Sequence, residues 1–160
     1  MRLLIAAVGK LKRGPERELF AHYLDRAQLI GRKISLAPLS AIEIAEAKAA
    51  TAQARMEAEG KRVLAKLPSS HKLICLDRGG DHLGSEDFAQ VLAKFRDGGA
   101  EGLAFFIGGA DGLGLAALFR ADRVLSLGHM TLPHGLARIV LAEQIYRAAT
   151  ILSGHPYHRG

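Results

Sequence analysis

Cysteine is nearly absent from this chain. Cys75 is the only one in 160 residues, so no intrachain disulfide can form and a stapled secreted scaffold is excluded. A reducing, intracellular setting is the expectation. Long apolar runs are missing as well: none approaches the ~18 residues that a helix needs to cross a bilayer. The apolar stretch Leu3–Val8 is shorter than the ~7–15 residues of a signal-peptide core, and Gly9-Lys10 follow it without a small-residue cleavage site. A buried strand is expected there, with a cytoplasmic location and no membrane contact. Linkers, internal repeats and low-complexity segments are also lacking, which points to one domain over 1–160.

Two further absences narrow the chemistry. No G-x-x-x-x-G-K-[ST] string occurs, which disfavours P-loop phosphate chemistry. No H-E-x-x-H and no Cys/His spacing of a zinc site occurs either, so no metal is expected.

What is present is an ordinary globular balance. Hydrophobic residues make up 49% and charged residues 24%, which excludes a disordered or fibrous chain. The net charge of +6 is unevenly placed. Residues 1–70 hold 13 Lys/Arg against 7 Asp/Glu, whereas residues 71–160 hold 9 of each and six of the seven histidines. The basic half suits a phosphate-tracking surface, notably Lys10, Lys12, Arg13 and Arg17, or simply a solvated basic face. In the last thirty residues Glu143 is the only acid, beside Arg138, Arg147, Arg159, His134, His155 and His158.

Apolar runs and helical patterns alternate along the chain. Strands are expected at Leu3–Val8, Ile34–Leu39, His71–Leu76, Leu103–Ile107 and about Arg123–Leu127. Helices are expected at Pro15–Ile30, Ala41–Lys66, Ser85 to about Arg96 with Ser85 as the cap, a short one after Gly114, and Leu136–Leu152. This order implies an α/β fold with a mostly parallel sheet flanked by helices, whose ligands sit beyond the carboxyl ends of the strands. Three loops follow predicted strands there: 77–84, 108–114 and 128–134.

Three motifs stand out. Ile107-Gly108-Gly109-Ala110-Asp111-Gly112-Leu113-Gly114 places four glycines after a strand, as a tight turn or a close approach to a ligand requires. Its Gly112-Leu113-Gly114-Leu115-Ala116-Ala117 part fits G-x-G-x-x-A, but it follows the fourth strand. The acid expected ~20 residues on is missing, so a nicotinamide reading is weak. Leu125–Pro133 is a mostly neutral loop that suits an adenosine-sized ligand bound through backbone groups, or a plain strand-to-helix connection. The tail His155-Pro156-Tyr157-His158-Arg159 either frays or brings a stacking ring, proton carriers and a phosphate grip to a site. Glu143, Tyr146 and Arg147 share one helix face, with an internal salt bridge as the simplest reading.

Taken together, IGGADGLG at 107–114, MTLPH at 130–134, RIVLAEQIY at 138–146 with Arg147-Ala148, and HPYHR at 155–159 resemble the bacterial ribosomal RNA large-subunit methyltransferase H family. The opening AAVGKLK at 6–12 and Leu76-Asp77 with Gly79-Gly80 agree, and the resemblance covers essentially the whole chain. The resemblance implies a SPOUT-class fold with a C-terminal trefoil knot, a homodimer, and S-adenosylmethionine as methyl donor. The implied reaction is methylation of N3 of a pseudouridine in 23S rRNA of the assembled ribosome. Carried over by residue, Leu76, Gly108, Gly109, Leu127, Gly128, His129, Met130, Thr131 and Leu132 contact the cofactor. His158 is the candidate base, Arg147 and Arg159 hold phosphate or developing charge, and Tyr157 stacks near the target. A nicotinamide-dependent oxidoreductase and a non-catalytic ribosome-binding protein remain the alternatives.

Overall fold

β1 (Arg2–Val8) is apolar on both faces because it lies inside a sheet covered on both sides. The computed structural model describes residues 1–159. Four more strands join β1: β2 (Leu39–Ile44), β3 (His71–His82), β4 (Gly102–Ile107) and β5 (Arg123–Ser126). Their order across the sheet is β2-β1-β4-β3-β5, and every pairing is parallel. All five carboxyl ends therefore point to the same edge.

The helices are α1 (Pro15–Gly31), α2 (Ala52–Lys66), α3 (Ser85–Asp97), α4 (Leu115–Arg120) and α5 (His134–Ser153). The two-residue period of a strand sorts the core between them. On β4, Leu103, Phe105 and Ile107 pack with α1, α3 and α5, while Ala104 and Phe106 pack with Val63 of α2 and Ala117 of α4. Cys75 falls on the α2–α4 side, fully buried, with its thiol donating to the Ala117 carbonyl at 3.5 Å. Burial pushes that thiol up to about 12, which makes it inert at neutral pH.

Pro15 opens α1 as expected, with Glu16 and Glu18 in its first turn. The second strand does not lie where expected. Ile34 ends a short 3-10 turn (Arg32–Ile34), Ser35 adopts the left-handed conformation at φ 59°, and Pro38 carries no N–H for a ladder. The strand starts at Leu39 and takes four residues, Ala41–Ile44, that helix propensity assigned to α2. Pairing with β1 from Leu3↔Leu39 to Val8↔Ile44 overrides that local preference.

Two smaller differences matter more for the site. β3 runs past Leu76 to His82, and Leu76 and Asp81 both pair with Leu125, so residues 77–80 bulge out between them. Gly80 is required there, since a Cβ would lie 2.6 Å from the Leu125 carbonyl carbon. Ser85 does not cap α3: Gly84 holds the cap position, and the Ser85 hydroxyl donates to Gln144 Oε1 at 2.7 Å, tying α3 to α5.

Candidate active site

The β3 bulge and the loops after β4 and β5 meet in a cleft of about 870 Å³ at the carboxyl edge of the sheet. Leu76, Gly108, Gly109, Leu127, Gly128, Met130, Thr131 and Leu132 all line it. His129 does not. The chain turns at Gly128 with φ 129°, and the His129 ring stacks on His82 at 4.3 Å between centroids. The His129 side chain therefore packs on His82 of β3 while its neighbours in the loop line the cleft.

The glycine-rich loop is closed on itself and held from behind by α2. A Cβ on Gly108 would run into the Gly112 carbonyl oxygen, and one on Gly109 would lie 3.0 Å from Glu59 Oε2 and 3.1 Å from Val8 Cγ1. Arg55 donates twice to Asp111, at 2.7 and 3.1 Å, and this keeps the Asp111 carboxyl below its ordinary range. Glu57 Oε1 accepts from the Leu115 N–H at 2.8 Å. That N–H is the first donor of α4, the place where a dinucleotide pyrophosphate would sit. A carboxylate already occupies it, and a Cβ on Gly114 would lie 2.7 Å from the same oxygen. The G-x-G-x-x-A string serves packing against α2.

Behind His134, one of the cleft-lining residues, lies a buried cation to which the sequence alone assigns no role beyond membership of the C-terminal His/Arg cluster. Arg138 is 1% exposed. Its Nη2 donates to the carbonyls of Val8 and Gly9, both at 2.7 Å, and its Nη1 donates to Glu43 Oε1 at 2.9 Å. Nη2 also lies 3.2 Å from Nδ1 of His134, which lines the cleft. Desolvation lowers the Arg138 pKa and Glu43 counters it. The available signals were a glycine directly after β1 and an i, i+4 His/Arg pair at the start of α5, both of which look ordinary in a sequence.

The proposed catalytic tail is ordered, and it packs back on α5 around Glu143. Arg147 donates to Glu143 Oε1 at 2.7 and 3.1 Å, and the Tyr157 hydroxyl donates to the same oxygen at 3.0 Å. The Tyr157 ring lies 4.5 Å from Tyr146 and 4.9 Å under the Arg147 guanidinium. Burial, then the Glu143 bond, pushes the Tyr157 hydroxyl up to about 12. His158 Nδ1 is 3.4 Å from Arg147 Nη1, and its Nε2 is 3.5 Å from Glu86 Oε1. Arg159 is exposed. The salt bridge read from Glu143 and Arg147 is therefore present, with the tail added to it. None of Arg147, Tyr157, His158 and Arg159 lines the cleft. Thirteen residues of helix separate Arg147 from His134, roughly 20 Å along the axis.

An all-parallel α/β sheet with a ligand cleft at its carboxyl edge defines the class of protein to compare. The chain matches the family described as "Predicted SPOUT methyltransferase" over residues 1–158. It is 53% identical over 159 residues to a protein of Xanthobacter autotrophicus, and 51% identical over 159 residues to one of Sinorhizobium fredii, with 99% of each chain covered in both cases. A Methylobacterium protein is 48% identical over 160 residues, covering 100% of this chain and 99% of its own. All three relatives are named ribosomal RNA large subunit methyltransferase H. The chain belongs to the SPOUT methyltransferase family, and within it to the group that these relatives represent. Among the described residues, no helix is long and apolar enough to cross a membrane, and no group of three His, Cys, Asp or Glu could hold a metal ion.

Proposed function

We propose that this chain, working as one unit over 1–160, transfers a methyl group from S-adenosylmethionine to large-subunit ribosomal RNA. The target in this reading is N3 of a pseudouridine in 23S rRNA of the assembled ribosome, which places the protein in the cytoplasm. The observation that carries it is the convergence of the β3 bulge and the loops after β4 and β5 on one cleft. The size and chemistry of that cleft fit the cofactor: it is ample for an adenosine-sized ligand and lined by glycines and apolar side chains, with Asp77, Arg78, Asp111 and His134 as its charged or titratable groups. When bound, the cofactor supplies an activated methyl. Leu76, Gly108, Gly109, Leu127, Gly128, Met130, Thr131 and Leu132 would hold it, by apolar contact and backbone hydrogen bonds.

Positioning carries much of the work, because the attacking nitrogen must stand in line with the methyl–sulfur bond. The imide N3–H is a weak acid, so a base must take its proton. His158 is the candidate, with Arg147 and Arg159 gripping phosphate or developing charge and Tyr157 stacking on a base. In the isolated chain His158 Nδ1 faces Arg147, so Arg147 must turn to RNA phosphate before that nitrogen can accept a proton. The distance between tail and cleft favours a homodimer in which the tail of one subunit completes the cleft of the other. The exposed Lys10, Lys12, Arg13 and Arg17 follow Gly9 at the His134 end of the cleft, where an RNA backbone could approach. The trefoil knot belongs to this reading too. The chain leaves β5 at the sheet edge and α5 begins beside the end of β1, so it crosses the ends of β3 and β4.

Nucleoside mass spectrometry of 23S rRNA tests the proposal. Cells lacking the gene should lose one methylated pseudouridine and regain it on complementation. Full retention of that nucleoside would remove the assignment.

A further inference from the structure

The cleft wall nearest β1 carries a polar group that the reading above does not use. His134 Nδ1 lies 3.2 Å from Arg138 Nη2, a cationic group with no acceptor, so a lone pair at Nδ1 suits that neighbour better than a second N–H would, which puts the ring's own proton at Nε2. Arg138 cannot move aside, since it is held by the Val8 and Gly9 carbonyls and by Glu43. Moving the ring proton to Nδ1 would set one N–H against another, and turning the ring over would set a C–H there instead of the lone pair. The imidazole also lies across Gly9, where φ is 87° and a Cβ would stand 3.3 Å from His134 Cε1. Orientation and tautomer are thus set by neighbours on two other elements. His134 is half-buried on the cleft wall, and its Nε2 has no hydrogen-bond partner among the described residues. The charged groups around it are Arg138 on α5, Glu43 on β2, Glu46 in the loop after β2, and Glu16 of α1 against Gly135.

We infer that His134 donates its Nε2–H to a carbonyl oxygen of the imide of the target base. The inference rests on the methyltransferase reading and adds to it a protein contact made by the cleft itself. Location selects the base over the cofactor. The proposed cofactor residues lie on the β3 bulge and the loops after β4 and β5, whereas the His134 ring, at the start of α5, packs against the end of β1, next to the basic stretch Lys10–Arg17. A base presented by RNA bound to that stretch enters the cleft from the His134 side.

The chemistry suits a fixed donor. Loss of the N3 proton to the base leaves negative charge shared between N3 and its two flanking carbonyl oxygens. The N3 lone pair then forms the bond to the methyl carbon, and the carbon–sulfur bond breaks with its electron pair left on sulfur. A hydrogen bond to one of those oxygens stabilises the charge as it forms, which is the task of an oxyanion donor. It also lets the imide ionise at lower pH.

Single-turnover methylation of ribosomes lacking the modification, followed from neutral to alkaline pH, tests this. His134→Ala and His134→Phe should slow transfer by about 10²–10³-fold, the loss found on removing one oxyanion donor. The pH at which the rate levels off should move upward, while S-adenosylmethionine affinity by calorimetry stays unchanged. His134→Gln retains a side-chain N–H donor and should recover most of the rate and the wild-type pH profile. A wild-type rate in His134→Ala would overturn the inference. So would a slow variant with an unmoved pH profile, failure of His134→Gln to outperform His134→Phe, or a loss located in cofactor affinity. Wild-type protein that methylates no rRNA would remove the methyltransferase reading itself and this inference with it. Active wild type beside an unaffected His134→Ala removes this inference alone.

Discussion

A guanidinium buried among two carbonyls, a carboxylate and an imidazole cannot be removed without stranding its partners. Arg138→Leu leaves the Val8 and Gly9 carbonyls without that donor, while the partly exposed Glu43 keeps the Leu11 N–H, at an expected cost of about 2–4 kcal/mol in urea unfolding. A loss under about 1 kcal/mol would mean that the site rehydrates freely. His71 makes a different prediction. Its ring fills the space left by Gly102, and its Nδ1 is buried without a partner. Burial, then the charge of Arg2, lowers its pKa below the ordinary 6.5. The unfolded chain therefore takes up this proton at higher pH than the folded one. The neutral ring is fully compatible with folding above about 6.5, and stability falls as pH drops through that value toward the lower folded pKa. His71→Leu should flatten the fall, read as urea midpoints at neutral and mildly acidic pH. An unchanged slope in that variant would assign the pH effect elsewhere.

At the scale of elements, α2 acts as a clamp behind the glycine-rich loop. Its residues Arg55, Glu57 and Glu59 reach Asp111, the first N–H of α4 and the Ala47 N–H. The Arg55–Asp111 pair is partly exposed, at 32% and 27%, so solvent screens it and its contribution is small. Arg55→Ala should weaken S-adenosylmethionine binding by about 2–5-fold, by loosening the loop without touching the ligand. Asp111→Ala added to it should cost little more, and raised salt should narrow the difference. Two independent, additive losses would show that the pair does not work as a unit.

The whole molecule poses a question of reach, since the cleft and the Arg147–Arg159 cluster occupy different stretches of α5. In the dimer proposed above, each site takes a cleft from one chain and a tail from the other. Mixing a cleft-defective Gly109→Val chain with a tail-defective His158→Ala chain should then restore activity. Half of the randomly assorted dimers would carry one intact site of two, about a quarter of wild-type activity from two inactive chains. No recovery beyond the parents, with subunit exchange verified by labelled chains, would place cleft and tail within one subunit.

How much of this was legible in the sequence depends on the range of the forces involved. The buried strand Leu3–Val8, the Pro15 entry to α1 and the glycine loop after β4 were readable because periodicity, capping and backbone freedom are properties of neighbouring residues. The parallel α/β class and the strand ends as the place for ligands followed from them. The β2 boundary was not readable, because pairing with β1 outweighed the helix preference of its own residues. The turning of His129 toward His82, the carboxylate at the start of α4 and the Arg138–His134 lock were hidden for the same reason. Each depends on residues brought together from distant parts of the chain. The amino-acid sequence determined by itself the elements, their alternation and the family. Tertiary structure decided which side chains share the cleft, because a hydrogen bond acts over about 3 Å of space regardless of separation along the chain.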